Sequence, residues 1–393
     1  MNLQVKLFFD HYFGGFLHLI LRVPTILLGK ILRRDHDLAK CREIAILKLL
    51  GGGSLVIAYP ALLALRRLPN LRKLTLITGP AIAQFGTLLG IFDEIVIVRD
   101  NSGFVTLGVD SLKAFKKLFG HDAIIDLEIH SRLTTVFALL TAAKNRLGFF
   151  TGISYWRRHL STHLLFCNVT NGIYNFYDQL ATIFGTAPVD GMECEREFRG
   201  KLGEWKFAEE NVFRLAIAPA CSGLSQERML QREEWAGIVD RRLEKLDPAQ
   251  KKVEIHLLGA PSDKAELDQM RGMLEGHLGG RAVVLNHAGK TKLRESVQIV
   301  AAMDEVLCID SALLHFSRLV GRKTVSFWGP TDPGTLIRPN ARSLDEIHYV
   351  RIPCSPCVHH SHQAPCQGRN ICMRLAVDPT APLPRNQPWV LKG

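Results

Sequence analysis

The sequence contains no helix-turn-helix, no RNP motif and no zinc finger. Its basic residues are spread along the chain, so no nucleic-acid partner is expected. It also lacks a Walker loop, and it lacks the G-x-G-x-x-G fingerprint followed by a ribose-binding acid. A nicotinamide-dependent dehydrogenase is therefore disfavoured. No D-x-D motif closes a strand. No small-residue cleavage site follows the first apolar stretch, so no secretory leader is expected and a reducing cytoplasm is. Acidic residues are in deficit, 38 against 49 Lys and Arg, for a net charge of +11. That balance suits an anionic partner such as a phosphorylated substrate or an anionic membrane. With 47% hydrophobic and 22% charged residues, the 393-residue chain has the composition of a globular protein. At about 100–200 residues per domain, two domains are expected.

The first forty residues stand apart. Phe8, Phe9, Tyr12, Phe13, Phe16, Leu17, Ile20 and Leu21 recur at helical spacing. Arg22 and Pro24 break the run, Ile26, Leu27, Leu28 and Ile31 resume it, and Lys30, Arg33 and Arg34 close it. The total length reaches the roughly 20 apolar residues of a bilayer span. Asp10, Arg22 and Pro24 make spanning costly. Residues 1–40 are therefore expected to form an amphipathic helical segment on a membrane surface, its basic residues toward anionic headgroups. A helix packed on the protein itself is the plain alternative.

From Cys41 onward, strands alternate with helices, the pattern of a parallel sheet with right-handed crossovers. "REIAILKLL" reads as a buried strand, followed by the turn Gly51-Gly52-Gly53-Ser54 and a helix. "KLTLIT", "EIVIVRD" and "DAIIDLEIH" read as further strands, the last ending in Asp126 and Glu128. Ligands of such sheets sit beyond the carboxyl ends of the strands. That rule groups Gly52, Gly53, Ser54, Asp126 and Glu128 at one edge. If the strand runs on through Glu128, both carboxylates share a face. A second alternating set begins at "RLAIAPACSG" and runs to "KTVSFWGPTDPG". The expected fold is α/β of the GT-B type, with two Rossmann-like domains facing a central cleft. The expected divisions are 1–40, 41–205, 206–345, and a Cys-rich segment 346–393 packing back on the domains.

The stretch "DSALLHFSRLVGRKTVSFWGPTDP" at 310–333 resembles the D-[ST]-x-x-x-H…G-x-x-x-V-x-x-x-G-P-T-x-P block of glycosyltransferase family 9, the lipopolysaccharide heptosyltransferases. "DEIVIVRD" and "IIDLEIHSR…NRLGF" fall in the order that family shows, and the likeness covers roughly residues 42–375. The resemblance implies an inverting, metal-independent transfer of a heptose from an ADP-linked donor to the lipopolysaccharide core. No cofactor is implied for that reaction. The implied partners are a nucleotide-sugar donor, an anionic glycolipid acceptor and the inner-membrane surface, which makes the protein peripheral on the cytoplasmic face. Two alternatives remain: another nucleotide-sugar donor, or a non-catalytic sugar-nucleotide or glycolipid-binding protein.

Read through the resemblance, the donor diphosphate belongs at the helix that follows Asp310-Ser311, where unpaired N–H groups and the helix dipole favour an anion. Ser311, Ala312 and Leu313 are donors there, Asp310 accepts from a sugar hydroxyl or caps the helix, and His315 lies one turn in. Gly329, Pro330 and Thr331 end a strand on the same edge. Ser222 and Ser225 are candidate phosphate contacts. Arg228 falls at the family's basic position, although Leu230 and Gln231 replace its usual Trp-Pro. Ser54 stands where many members carry Asp, the candidate general base. Serine alone is a poor base, so Glu128, and next Asp126, become the candidates. Cys354, Cys357, Cys366 and Cys372 resemble the family's C-terminal cysteine segment; their spacing permits a structural zinc, disulfides or reduced thiols.

Overall fold

The computed structural model describes residues 3–99, 102–152, 154–221, 226–246, 252–339, 342, 344–358, 360 and 364–382. The chain divides into two compact units, Met1–Asp190 and Gly191–Gly393. The first contains α1 (Leu3–Leu32), β1 (Glu43–Leu47), α2 (Gly52–Ile57), α3 (Tyr59–Arg66), β2 (Lys73–Thr78), α4 (Pro80–Leu89), β3 (Glu94–Ile97), α5 (Phe104–Leu118), β4 (Ala123–Asp126), α6 (Arg132–Leu140), β5 (Asn145–Phe150), β6 (His163–Phe166) and α7 (Ile173–Ile183). The second contains α8 (Gly191–Leu202), β7 (Val212–Ala218), α9 (Arg232–Leu243), β8 (Lys252–Leu257), α10 (Lys264–Leu278), β9 (Val283–Asn286), α11 (Leu293–Ala301), β10 (Glu305–Ile309), α12 (Ala312–Leu319), β11 (Lys323–Trp328), α13 (Pro333–Leu336), β12 (Asp345–Tyr349) and α14 (Ile371–Val377).

Each unit holds one six-stranded sheet, ordered β3-β2-β1-β4-β5-β6 and β12-β11-β10-β7-β8-β9. All pairings within them are parallel. Both follow the same doubly wound order, so each has one switch point where the winding reverses: β1/β4 in the first unit and β7/β10 in the second. Helices cover both faces, which is why Ile44–Leu47 and Glu305–Ile309 are buried along their whole length. In the second unit Trp235, Leu257, Leu307, Phe327 and Met373 share one core.

Two expectations about layout change. The division falls at 190/191 rather than 205/206 because α8 packs on α12: Phe198 stacks on Phe316 at 5.8 Å, and Arg199 Nε donates to Val320 O at 2.9 Å. The Cys-rich segment belongs to the second unit, where Ile371, Cys372 and Met373 of α14 enter its core. Helix α1 is the single N-terminal helix expected, and it runs unbroken through Pro24. Proline removes one helix hydrogen bond. Thr25 Oγ1 donates to Leu21 O at 2.6 Å beside that gap. Contacts to the first unit hold the helix near both ends, Asp10 to Arg132 N at 2.9 Å and, just past the helix, Arg34 Nη1 to Ala142 O at 3.1 Å.

Candidate functional site

At the switch point of the first unit, Lys48 follows β1 and Glu128 lies just past β4. The strand ends at Asp126, so Asp126 and Glu128 do not share a strand face. Glu128 Oε1 accepts three hydrogen bonds, from Lys48 Nζ at 3.2 Å, Leu49 N at 2.7 Å and Leu50 N at 2.9 Å. One carboxylate oxygen is thus pinned by the turn after β1. Burial alone would lower the Lys48 pKa, but Glu128 and the neighbouring acidic groups outweigh it and hold the ammonium above its ordinary value. Tyr177, buried on α7, lies beside Lys48 and Ser54, and burial raises its phenol. Ser54 sits in α2, directly beside the Lys48–Glu128 pair's neighbour Tyr177. The glycines before it serve packing and turn geometry. Gly51 has φ 77°, the left-handed region that favours glycine. A Cβ on Gly52 would stand 2.5 Å from the Phe85 ring. Gly53 is half-buried in the first turn of α2.

Asp126 occupies a different environment from Glu128. Its Oδ2 accepts from Arg157 Nη1 at 3.0 Å, Thr134 Oγ1 at 2.9 Å and Thr135 Oγ1 at 3.3 Å, and its Oδ1 from Glu128 N at 3.0 Å. Burial pushes its pKa up, with Arg157 opposing. Arg157 is fully buried, and its Nη2 also donates to the backbone carbonyls of Glu128 and Ser131. Asp126 therefore anchors the loop that carries Glu128. Lys48, Tyr177 and Arg157 were not singled out in the sequence. Lys48, a lone cation closing an apolar run, carried the one usable signal.

The second unit repeats the geometry at its own switch point. Asp310 follows β10, and Arg228, on a 3₁₀ turn after β7, donates through Nη1 to Asp310 O at 2.9 Å and Oδ2 at 3.1 Å. Leu230 is buried in the core two residues on, and Gln231 accepts the cap role for α9, its N donating to Glu234 Oε2 at 2.7 Å. The residues that replace Trp-Pro thus still anchor the turn that aims Arg228. Ser311 precedes α12 without capping it. Its hydroxyl and that of Thr331 are buried and have no partner among the described residues. Buried hydroxyls are seldom left unmatched, so two at one strand edge are notable. Ala312 and Leu313 open α12, half-buried. His315 Nε2 lies 3.8 Å from Asp310 Oδ1, and burial lowers its pKa to about 4, so it is neutral at pH 7. Ser222 and Ser225 lie outside the described residues.

Gly329 and Pro330 do a structural job. A Cβ on Gly329 would fall 2.5 Å from Cys372 Sγ and 3.0 Å from Met373 N. The close approach here is by α14. Pro330 O accepts from Cys357 N at 3.0 Å and Val358 N at 2.9 Å. Gly329→Ala should therefore lower the unfolding free energy by about 1–3 kcal/mol, read by urea denaturation. A variant as stable as the parent would show that α14 yields freely. Cys354, Cys357, Cys366 and Cys372 are free thiols gathered in one region. Burial pushes Cys357 to about 11 and Cys372 to about 12. Among the described residues no group of three or more His, Cys, Asp or Glu is disposed to hold a metal ion.

Residues 211–367 match the family model described as glycosyltransferase family 9 (heptosyltransferase). The matched region takes in about two fifths of the chain, from β7 to the cysteine segment, and contains Arg228, Asp310, Ser311 and Thr331. Lipooligosaccharide heptosyltransferase 2 of Haemophilus influenzae is 34% identical over 79 residues, 20% of this chain. The matched stretch spans 22% of that relative's length. Among solved structures, a family 9 glycosyltransferase of Veillonella parvula aligns with TM-score 0.58 at 16% identity, over 80% of this chain and 87% of that one. Escherichia coli ADP-heptose lipopolysaccharide heptosyltransferase II aligns at 0.57 and 14%, over 79% and 91%. E. coli heptosyltransferase WaaC with ADP aligns at 0.58 and 14%, over 78% and 92%. At these identities the likeness is one of fold, two Rossmann-like units of the GT-B type.

Proposed function

We propose that this protein is an inverting glycosyltransferase that moves a heptose from ADP-heptose onto a lipopolysaccharide core or related glycolipid, at the cytoplasmic face of the inner membrane. The observation that carries the reading is the family 9 match over 211–367, which includes the Arg228–Asp310 pair and the unmatched Ser311 and Thr331 hydroxyls. In this reading the diphosphate lies at the head of α12. Backbone N–H groups and the two hydroxyls hydrogen-bond it, and Arg228 neutralises charge on the departing ADP. No metal ion is needed for that role. Glu128 takes the proton of the acceptor hydroxyl, and the acceptor oxygen bonds to the anomeric carbon as the bond to ADP breaks, with the electron pair leaving on the diphosphate. Ser54 orients the site through Tyr177.

The test is ADP release from ADP-heptose, with UDP-GlcNAc as the comparison donor, with and without a deacylated lipopolysaccharide core. Acceptor-dependent ADP release is expected. Tight donor binding with no turnover on any acceptor would instead make the chain a sugar-nucleotide-binding protein, with Ser54 as the mark of lost transfer. Arg228→Met should lower kcat by about 10²–10³-fold, the usual loss of one charge-stabilising donor. Unchanged kcat in steady-state ADP release would remove Arg228 from the leaving-group role.

A further inference from the structure

Helix α1 has two unlike sides. One is a narrow polar stripe at four-residue spacing: Asp10, Gly14 and His18. It lies against the start of α6. Asp10 Oδ1 accepts from Ser131 Oγ at 2.7 Å and Leu133 N at 2.9 Å, and Oδ2 from Arg132 N at 2.9 Å. His18 Nε2 meets Arg132 O at 3.1 Å. A Cβ on Gly14 would stand 2.8 Å from that of Arg132, so only glycine lets the helices come this close. Helix α6 thus has its first N–H groups satisfied by a carboxylate from another helix.

The other side is apolar and bare. Phe8, Tyr12, Phe16, Leu19, Val23 and Ile31 are each 59–75% exposed, on a helix about 45 Å long. Asp10 is the one acidic residue of α1, and it is turned inward. The exposed charges beside that face are basic among the described side chains of the helix, Arg22 and Lys30, with Arg33 just past its end. An apolar face accompanied by cations matches an anionic lipid surface, with side chains among the acyl chains and the charged groups at the phosphates. A spanning helix would have to give up the Asp10, Gly14 and His18 contacts.

The polar stripe also leads to the site. Ser131, held by Asp10, offers its carbonyl to Arg157, and Arg157 holds Asp126 and the Glu128 carbonyl. We propose that α1 lies flat on an anionic lipid surface through its apolar face, and that Asp10 makes it a positioning element for the Glu128 loop. The second half rests on the reading of Glu128 as the base; the first does not.

The test uses the full chain with phosphatidylethanolamine vesicles containing phosphatidylglycerol, against phosphatidylcholine vesicles. Co-sedimentation with the anionic vesicles alone is expected, released by alkaline carbonate, which would leave a spanning helix in place. The triple variant Phe16→Ser, Leu19→Ser, Val23→Ser should lose at least about tenfold in vesicle affinity, as expected for removing three buried apolar side chains, at an unchanged Tm. Equal partition of parent and variant would overturn the lipid surface. So would a lipid-free dimer that the variant dissolves, which would make a second copy the occupant. Asp10→Ala should keep vesicle binding and donor KM while kcat falls severalfold, and amide exchange at residues 128–134 should speed up. Unchanged exchange and kcat would overturn the positioning role. If no acceptor supports transfer in any form of the protein, the functional reading fails, while vesicle binding and exchange still decide this proposal.

Discussion

Glu128→Gln should lower acceptor-dependent ADP release by about 10²–10⁴-fold, the usual worth of a general base, and leave donor affinity intact. The substitution is nearly isosteric. The amide oxygen can still accept from Lys48, Leu49 N and Leu50 N, which all converge on Oε1. The other position becomes an NH₂ that cannot take a proton. A purely structural Glu128 predicts the opposite pattern, a modest Tm change and near-normal turnover. Transfer within a few-fold of the parent would remove Glu128 from the chemistry. Ser54→Ala would then be the next variant to assay, with Tyr177 left in place.

Asp126→Asn should cost about 3–5 kcal/mol of stability, the range for breaking one side of a buried ion pair. Arg157 is wholly enclosed and Asp126 nearly so. Asn removes the charge and leaves the guanidinium buried with only carbonyls and hydroxyls around it. Urea denaturation at neutral pH would read the loss as a lower midpoint. Transfer should fall as well, because Arg157 also grips the Glu128 carbonyl. A loss below about 1 kcal/mol, the scale of an exposed pair, would mean that water or a local shift reaches Arg157. Together the two variants separate a carboxylate that acts from one that holds. Glu128→Gln, which takes the counter-charge from Lys48, should lower transfer far beyond its effect on Tm, whereas Asp126→Asn should lower both together.

Much of the architecture was legible because parallel strands are covered on both faces and read as short apolar runs. KLTLIT is β2 to the residue. The edge strands β6 and β12 escaped notice because their residues are mostly half-exposed and carry His, Asp and Glu. The donor edge was legible for a local reason. Asp310, Ser311, His315 and Thr331 lie on one strand–helix–strand segment, so the chain itself sets their spacing. Arg228 joined them across 82 positions, and only its family position pointed to it.

The sequence by itself determined the two alternating β/α sets, the apolar first helix and the chemistry gathered around residues 310–331, since each depends on periodicity or on neighbours along the chain. Tertiary structure alone decided that each carboxylate meets its own cation, and that the hydrogen bonds to Glu128 converge on one oxygen while those to Asp126 engage both. Lys48 and Glu128 are 80 residues apart, and Asp126 and Arg157 are 31 apart. The winding of the sheet brings each pair to one switch point. It also decided that Asp10, which in the sequence looked like a flaw in an apolar helix, caps α6 from 121–123 residues away. A side chain's partner is a property of packing, and no period in the sequence records it.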